Sequence, residues 1–520
     1  DLTSSPTATR SRGNHKAERQ DSVGSNNGTQ VRMQPYGLVS PSVPSKIPIL
    51  LDTAELDISE LRPDLLAPVR PPFWRRLLAF TGPGWLMSIA YVDPGNLEAD
   101  LQSGAQFGYA LLWALLYATT VGLVLQLVAA RLGCATGQHL AEHCRAQYRS
   151  RVRVILWALT ELAIIGSDIQ EVIGCSIGLQ MLFGLPLSLG VLLTAAAAFG
   201  FLFLERLGTR KLEFFFGVLI LILACSMGGL FVTISPDKAS MLQGLTIPEM
   251  PRSAVQQVVG MIGCVVMPHN LFLHSALVQS RVIGHGEARE AVFLFTVEST
   301  AAIVTSLLIN TSVVAVFAKG FYGSPLAENI GLRNAGFYLG QAYGDPMRVV
   351  WALGLCAAGQ SSTMTGAYAG QWVMQGYLQL KVEPWKRAVI TRSMALVPTL
   401  MVAVYFGGGH QGLDALNGYL NVLQSLVLPF AVVPLLIFSG SRQIMGDLAL
   451  QRPALLFCWT ATGLVICANV FLFYVKFGSE LQEGLLWAVG LIYTAGIAYI
   501  ALVPLLTGLE PVPRHMGGLT

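Results

Sequence analysis

From Trp74 to about residue 507 the chain alternates long apolar runs with short polar interruptions. The runs cover 78–105, 109–132, 153–177, 187–204, 212–234, 254–279, 291–318, 347–379, 388–406, 412–438, 453–475 and 484–507. There are about twelve, and each is long enough for a helix to span a hydrocarbon core of about 30 Å. In lipid, only α-helices and closed barrels satisfy every backbone group. These runs are too long and too uniformly apolar for barrel strands. The pattern predicts an all-α integral membrane protein, with the run 347–379 long enough to carry a helix end beyond the bilayer.

The segments before and after these runs read differently. Residues 1–70 are rich in Ser, Asn, Pro and charges and poor in aromatics. Such a stretch buries too little apolar surface to offset its ordering entropy, so a disordered N-terminal tail is expected. Two of the runs lie beyond residue 440, predicting two additional helices over 441–510 and a short tail at 511–520. Basic residues collect in alternate loops: Arg145, Arg149, Arg151 and Arg153; Arg206, Arg210 and Lys211; Arg281 and Arg289; Lys381, Lys386 and Arg387; Arg442 and Arg452. The intervening loops hold only Lys238, Arg252, Lys319, Arg333 and Lys476. The positive-inside bias places the first set, and both termini, in the cytosol.

Composition narrows the class. Only 12% of the 520 residues are charged, about half the roughly 25% of soluble proteins, which leaves little material for large soluble domains. A net charge of +3 gives no reason to expect nucleic acid as a partner. Six cysteines fall in apolar runs, and Cys134 and Cys144 fall in a basic loop on the cytosolic side, so no disulfide framework is implied. Among the His residues, His139, His143, His285 and His410 lie in or near loops and are assigned no role; a solvated helix face is expected for the first two. No Gly-rich phosphate loop or nucleophile elbow is present, and an enzyme is not expected.

Two of the runs are interrupted near their centres. The first holds Asp93-Pro94-Gly95-Asn96 and the sixth holds Met267-Pro268-His269-Asn270. Proline lacks the N–H of an interior helical bond and clashes with the preceding turn. The bland alternative is a pair of ordinary proline kinks, which membrane helices tolerate. Asp93 argues against it, because an acid at that depth costs about 2.5–3.5 kcal/mol on insertion scales and usually serves function. The two breaks open two successive five-helix sets, about 78–234 and 254–438. Because five is odd, the second set enters from the opposite side, giving two inverted repeats within a core at 71–440. Breaks at matching places in inverted repeats point to a midplane substrate site.

The residues at the breaks suggest the substrate. Asp93 offers a carboxylate, Asn96 an amide oxygen and Met267 a thioether sulfur. Unwinding frees carbonyls, and Ala90 and Cys264 each lie three residues before Asp93 and Met267. Oxygen alone would suit Mg²⁺ or Ca²⁺, whereas a thioether favours softer ions such as Mn²⁺, Fe²⁺, Co²⁺ or Cd²⁺. Met267 as a core filler is the competing reading. Asp168 and Glu171 are three apart and share a helix face. Paired acids in low dielectric make one easier to protonate, giving a candidate proton relay; a purely structural pair is the alternative. His269 is either a proton or gating group or a hydrogen-bonded core residue. His274, five residues further on, reads as a supporting or pathway residue.

These motifs resemble the Nramp family of proton-coupled divalent-metal transporters. Beside the two broken-helix motifs, GQSSTMTGAYAG at 359–370 is similar to the family's transport motif, and GSDIQEVIG at 166–174, ITRS at 390–393 and NVLQS at 421–425 also match. The resemblance runs from about 74 to 440 and continues weakly to the end. The wording around Cys264 and AKGFYG at 318–323 is closer to plant or algal members. The resemblance implies ten core helices in a leucine-transporter-like fold, with discontinuous helices 1 and 6. It implies metal ligation by Asp93, Asn96 and Met267, with the Ala90 carbonyl and in some states that of Cys264. It further implies Gln424 approaching the metal as the outer gate closes, proton handling by His269, Asp93, Asp168 and Glu171, and Arg392 in an ion-pair network between helices 3 and 9. Tyr91, Val92, Cys264 and Ala367 depart from the commoner family residues without removing a proposed side-chain ligand.

The expected function is therefore import of Mn²⁺ or Fe²⁺, and of related ions such as Cd²⁺, Co²⁺ or Zn²⁺, into the cytosol by alternating access. The expected partners are divalent metal ions, protons and the lipid bilayer, with a monomer sufficient; the metal is cargo, and no resident cofactor is expected. The membrane itself is left open between the plasma membrane and vacuolar or endosomal membranes. A metal or signal receptor on a transporter-like scaffold is the alternative from a different class, and a Na⁺-coupled organic solute carrier is a third reading.

Overall fold

The computed structural model describes residues 72–205, 209–281, 283, 287–379, 383–405, 411–477 and 483–509. The tails expected at 1–70 and 511–520, and the side chain of Arg392, lie outside the described residues. All regular structure among the described residues is helical. The first five apolar runs become α1 (Phe73–Phe80), α2 (Pro83–Ile89) and α3 (Pro94–Phe107), then α4 (Leu112–Thr136), the short α5 (Leu140–Gln147), α6 (Ser150–Phe183), α7 (Leu187–Glu205) and α8 (Thr209–Ile234). After α9 (Lys238–Thr246), the next five become α10 (Val255–Val265) and α11 (Pro268–Leu277), α12 (Ala288–Phe321), the short α13 (Leu332–Tyr343), α14 (Asp345–Leu378), α15 (Pro384–Tyr405) and α16 (Gln411–Gly440). A turn of helix, α17 (Arg442–Met445), leads to α18 (Arg452–Phe477) and α19 (Glu483–Thr507).

Each expected run is occupied by helix, the first and sixth runs in pieces, and short helices α5, α9, α13 and α17 lie between runs. The first run is cut twice rather than once, at Gly82 as well as at Asp93, because Pro83 and Pro94 each sit at the first position of a new helix, where the missing N–H costs nothing. Among the described residues, seven helical stretches are each long and apolar enough to cross a membrane, and α6 with α7 adds an eighth only if the pair, bent by 116°, is counted as one span. The halves α2 and α3 are too short to count alone. Helix α14 is long enough but carries buried Ser361, Ser362, Thr363 and Thr365 in its middle.

The two five-helix sets match in their insertions. Each places a short helix between its second and third spans, α5 in the first set and α13 in the second. Both short helices are capped alike: Glu142 accepts from the His139 N–H at 3.0 Å, and Asn334 accepts from the Gly331 N–H at 2.8 Å. Each satisfies a donor that the helix start leaves free. Burial separates an inner from an outer shell. The most apolar window of the 252–280 stretch is 94% buried, that of α19 only 17%. Leu221, Leu308, Leu491 and Leu506 are among many large apolar side chains left exposed, as a surface solvated by lipid requires.

Two sequence expectations change on the loops. His139 and His143 do not lie on a solvated face. His139 packs edge-on against Trp372, and His143 lies 3.0 Å from the Thr136 hydroxyl and against Phe438; both are buried. Cys134 and Cys144 are buried in α4 and α5 rather than in an open loop. Helix α5 packs against α14, α11 and α16, so its apolar side chains find a core that the charge pattern alone does not reveal.

Candidate cation site

Both interruptions are built the same way. Asp93 and Met267 are extended residues (φ −70°, ψ 168° and φ −68°, ψ 130°), and each caps a helix that starts with proline. Asp93 Oδ1 accepts from the Asn96 N–H at 2.7 Å. This is an ordinary N-cap bond that pins the carboxylate at the positive end of α3. Ahead of it, Ala90, Tyr91 and Val92 tighten into three-residue turns on Met87, Ser88 and Ile89. The carbonyls of Ala90, Tyr91 and Val92, just past α2, are thereby left without backbone partners among the described residues.

Asn96 joins the two breaks. Its Nδ2 lies 2.6 Å from Asp93 Oδ1, 3.3 Å from the Ala90 carbonyl and 3.0 Å from the Cys264 carbonyl. One amide nitrogen thus faces an acid and two freed carbonyls from different halves of the chain. Asp93 Oδ2 and Asn96 Oδ1 are buried without a hydrogen-bond partner among the described residues. Met267 is 1% exposed and its sulfur lies 3.9 Å from the Ser167 hydroxyl. No group of three or more His, Cys, Asp and Glu is placed to hold a metal ion among the described residues.

The remaining candidates fall into layers around this point. Ser167 also donates to Glu171 Oε1 at 2.8 Å, so one hydroxyl connects the acidic pair to Met267. Asp168 and Glu171 both face Gly366 of α14: a methyl there would lie 2.8 Å from Asp168 Oδ1 and 3.5 Å from Glu171 Oε2. The two acids share a face, as their spacing requires. Gln424 does not touch Asp93 or Asn96. Its Nε2 donates to Gln170 Oε1 at 3.1 Å, Gln170 Nε2 donates to Asn421 Oδ1 at 2.7 Å, and Asn421 Nδ2 donates to the Gly95 carbonyl at 3.2 Å. This amide chain links α3, α6 and α16. Asn421 also lines a cavity of about 230 Å³ together with Glu98, Gln102, Gln257 and Asp414. His269 is buried at the start of α11 with Nδ1 unpartnered, and His274 Nδ1 lies 2.9 Å from Gln126 Oε1 on α4.

Sequence reasoning did not single out Gln170, Asn421, Ser167 or Gln126. The first three lie inside or beside motifs already noticed, but an uncharged polar residue in an apolar helix gives little signal of its own.

Two inverted five-helix sets, each opened by a helix broken at its middle, define a transporter of the leucine-transporter-like fold. The chain belongs to the Nramp family: the description "Natural resistance-associated macrophage protein-like" matches residues 84–475. It is 49% identical over 421 residues to "Metal transporter Nramp3.2" of Populus trichocarpa, covering 79% of this chain and 83% of that one. It is 48% identical over 433 residues to "Metal transporter Nramp3" of Arabidopsis thaliana, covering 82% and 84%. A crystal structure of a variant of the Eremococcus coleocola manganese transporter superposes with a TM-score of 0.73 at 28% identity, over 85% of this chain and 96% of that one. The nucleobase-cation symporter Mhp1 shares the fold alone, at 17% identity, with a TM-score of 0.53 over 82% and 93% of the two chains.

Proposed function

We propose that this protein is a proton-coupled secondary transporter that carries Mn²⁺ or Fe²⁺ into the cytosol by alternating access. The observation that carries the reading is the position of Asn96 Nδ2, which faces an acidic oxygen and two freed carbonyls at once. A cation placed among these oxygens would meet their negative charge directly. Turning the Asn96 amide would bring its unpartnered Oδ1 to the same ion. Met267 supplies the soft ligand, which biases the site away from Ca²⁺ and Mg²⁺. The names of the plant relatives and of the solved neighbour agree with a metal cargo.

The proton follows from charge. A divalent ion favours the ionised form of Asp93, so binding drives a proton off the site. The Ser167 bridge to Glu171, with Asp168 beside it, offers a route for that proton along α6. The basic loops orient both termini toward the cytosol. The test is flux in proteoliposomes with a panel of ions at two external pH values. Mn²⁺ or Fe²⁺ entry accompanied by proton entry is expected; metal entry with no proton movement would remove the coupling, and no metal entry would remove the transport reading.

A further inference from the structure

Helix α12 runs along the half-helix α2 and holds it at both ends through polar side chains. At the start of α2, Glu298 Oε1 accepts from the Gly82 N–H at 2.5 Å and from the Gly84 N–H at 3.1 Å. These are donors that the first turn of a helix cannot satisfy internally. Gly82 reaches this arrangement with φ 146° and ψ −61°, a conformation that favours glycine. Beside it, Arg281 Nη2 donates to the Thr81 carbonyl at 2.9 Å, and Arg76 of α1 pairs with Glu290 of α12. At the other end, Ser306 Oγ donates to the Ser88 carbonyl at 2.9 Å, and Asn310 Nδ2 donates to the Tyr91 carbonyl at 2.7 Å. The second bond pairs a carbonyl that the break at Asp93 sets free, and the first adds a donor to a carbonyl that the Tyr91 N–H already reaches at 3.1 Å.

The two half-helices on the cytosolic side of the site are held differently. Helix α11 is wedged among α4, α14 and α16, whereas α2 rests chiefly on α12. Access from the cytosolic side therefore depends on the element with the simpler restraint. Glu298 is 3% exposed and belongs to no part of the ion site.

We propose that Glu298 is the latch of the cytosolic gate. Its carboxylate holds the start of α2 against α12 while the site is closed to the cytosol. Its bonds to Gly82 and Gly84 break when the ion is released, and Asn310 keeps the other end at Tyr91 as the pivot. The inference rests on the alternating-access reading above. Glu298 Oε2 is buried without a hydrogen-bond partner among the described residues, so a carboxylate that parts from α2 needs water or a new donor to avoid a bare buried charge, the costly outcome. Glu298 touches no cargo; it is a positioning residue.

The test places a reporter on α2, Ser88→Cys, in the full-length protein in nanodiscs. A charged methanethiosulfonate reagent is applied, with the native cysteines measured in a parent without the reporter. Glu298→Gln is expected to speed reporter labelling about tenfold, and Glu298→Asp, which keeps the carboxylate, to restore most of the protection. Equal rates in the reporter protein with and without Glu298→Gln would overturn the latch. Should Glu298→Gln fail to fold, Gly84→Ala serves, because its methyl would meet the Ser299 Oγ at 2.8 Å and lift α2 with Glu298 intact. Faster labelling supports the latch, and an unchanged rate overturns it. Metal flux measured on the reporter protein separates the two claims: absent flux sinks the transport reading, whereas the labelling rates judge the latch.

Discussion

The amide nitrogen of Asn96 stands 2.6 Å from Oδ1 of Asp93 and 3.0 Å from the carbonyl of Cys264, 168 residues away in sequence. A neutral donor thus sits where the acid and carbonyls converge, and on the proposed reading an arriving cation would compete with it for the same oxygens. Asp93→Ala removes the only charge in that set. Metal uptake in proteoliposomes is expected to fall to the background level, and normal uptake by a correctly inserted variant would reject the site.

On the proposed reading, Met267 would contribute selectivity rather than charge. Met267→Ala is expected to keep Mn²⁺ uptake measurable while letting Ca²⁺ and Mg²⁺ compete more strongly, because the remaining donors are hard oxygens. Competition by Ca²⁺ that matches the parent protein would count against the thioether as a filter.

The amide chain above the site offers a separate measurement. Gln170→Ala leaves Gln424 Nε2 without its partner and deprives Asn421 Oδ1 of a donor. Buried polar groups left unpaired cost about 1–3 kcal/mol. A lower melting temperature in detergent is expected, and an unchanged one would mean that the chain contributes nothing to stability.

Helices α6 and α14 approach closely at small residues, in the manner of membrane helix pairs. A methyl at Gly359 would lie 2.8 Å from the Cys175 nitrogen and the Glu171 carbonyl oxygen, which are backbone atoms that cannot swing aside. Gly359→Ala is expected to destabilise by about 1–3 kcal/mol, read as a loss of monodisperse protein on heating. Unaltered thermal stability would show that the pair separates at little cost.

His143, on α5 between two spans, gives a pH signature. Burial is the main cause that pushes its imidazole down to about 3, with His139 adding to it, whereas an unfolded chain binds that proton near pH 6.5. Between those values the unfolded state holds more protons, so this contribution to stability is full above about pH 6.5 and declines as pH falls. Replacing it by His143→Asn is expected to narrow the gap in melting temperature between pH 7.5 and pH 5.5. A gap as wide as in the parent would place the acid sensitivity elsewhere.

Asp93, Asn96 and Met267 were legible because each breaks a pattern: an acid, an amide and a proline-flanked sulfur in runs that lipid otherwise keeps apolar. Asp168 and Glu171 were legible through their spacing, which fixes a shared face before any neighbour is known. Gln170 and Asn421 carry no charge and break no period, so their link between α6 and α16 appears only once those helices are adjacent. His139 and His143 misled for the opposite reason, since their charged neighbours suggested water where the fold supplies Trp372 and Phe438.

What the chain determines by itself is where helices run and where they stop. In lipid a backbone must bond within its own segment, and proline refuses to do so at fixed positions, so the spans and both interruptions follow from local chemistry. Which groups then meet was decided only in three dimensions. The Asn96 amide reaches Cys264, Glu298 reaches Gly82, and Ser167 bridges Glu171 to Met267 because packing brings distant segments within hydrogen-bond range, and no local rule encodes that distance.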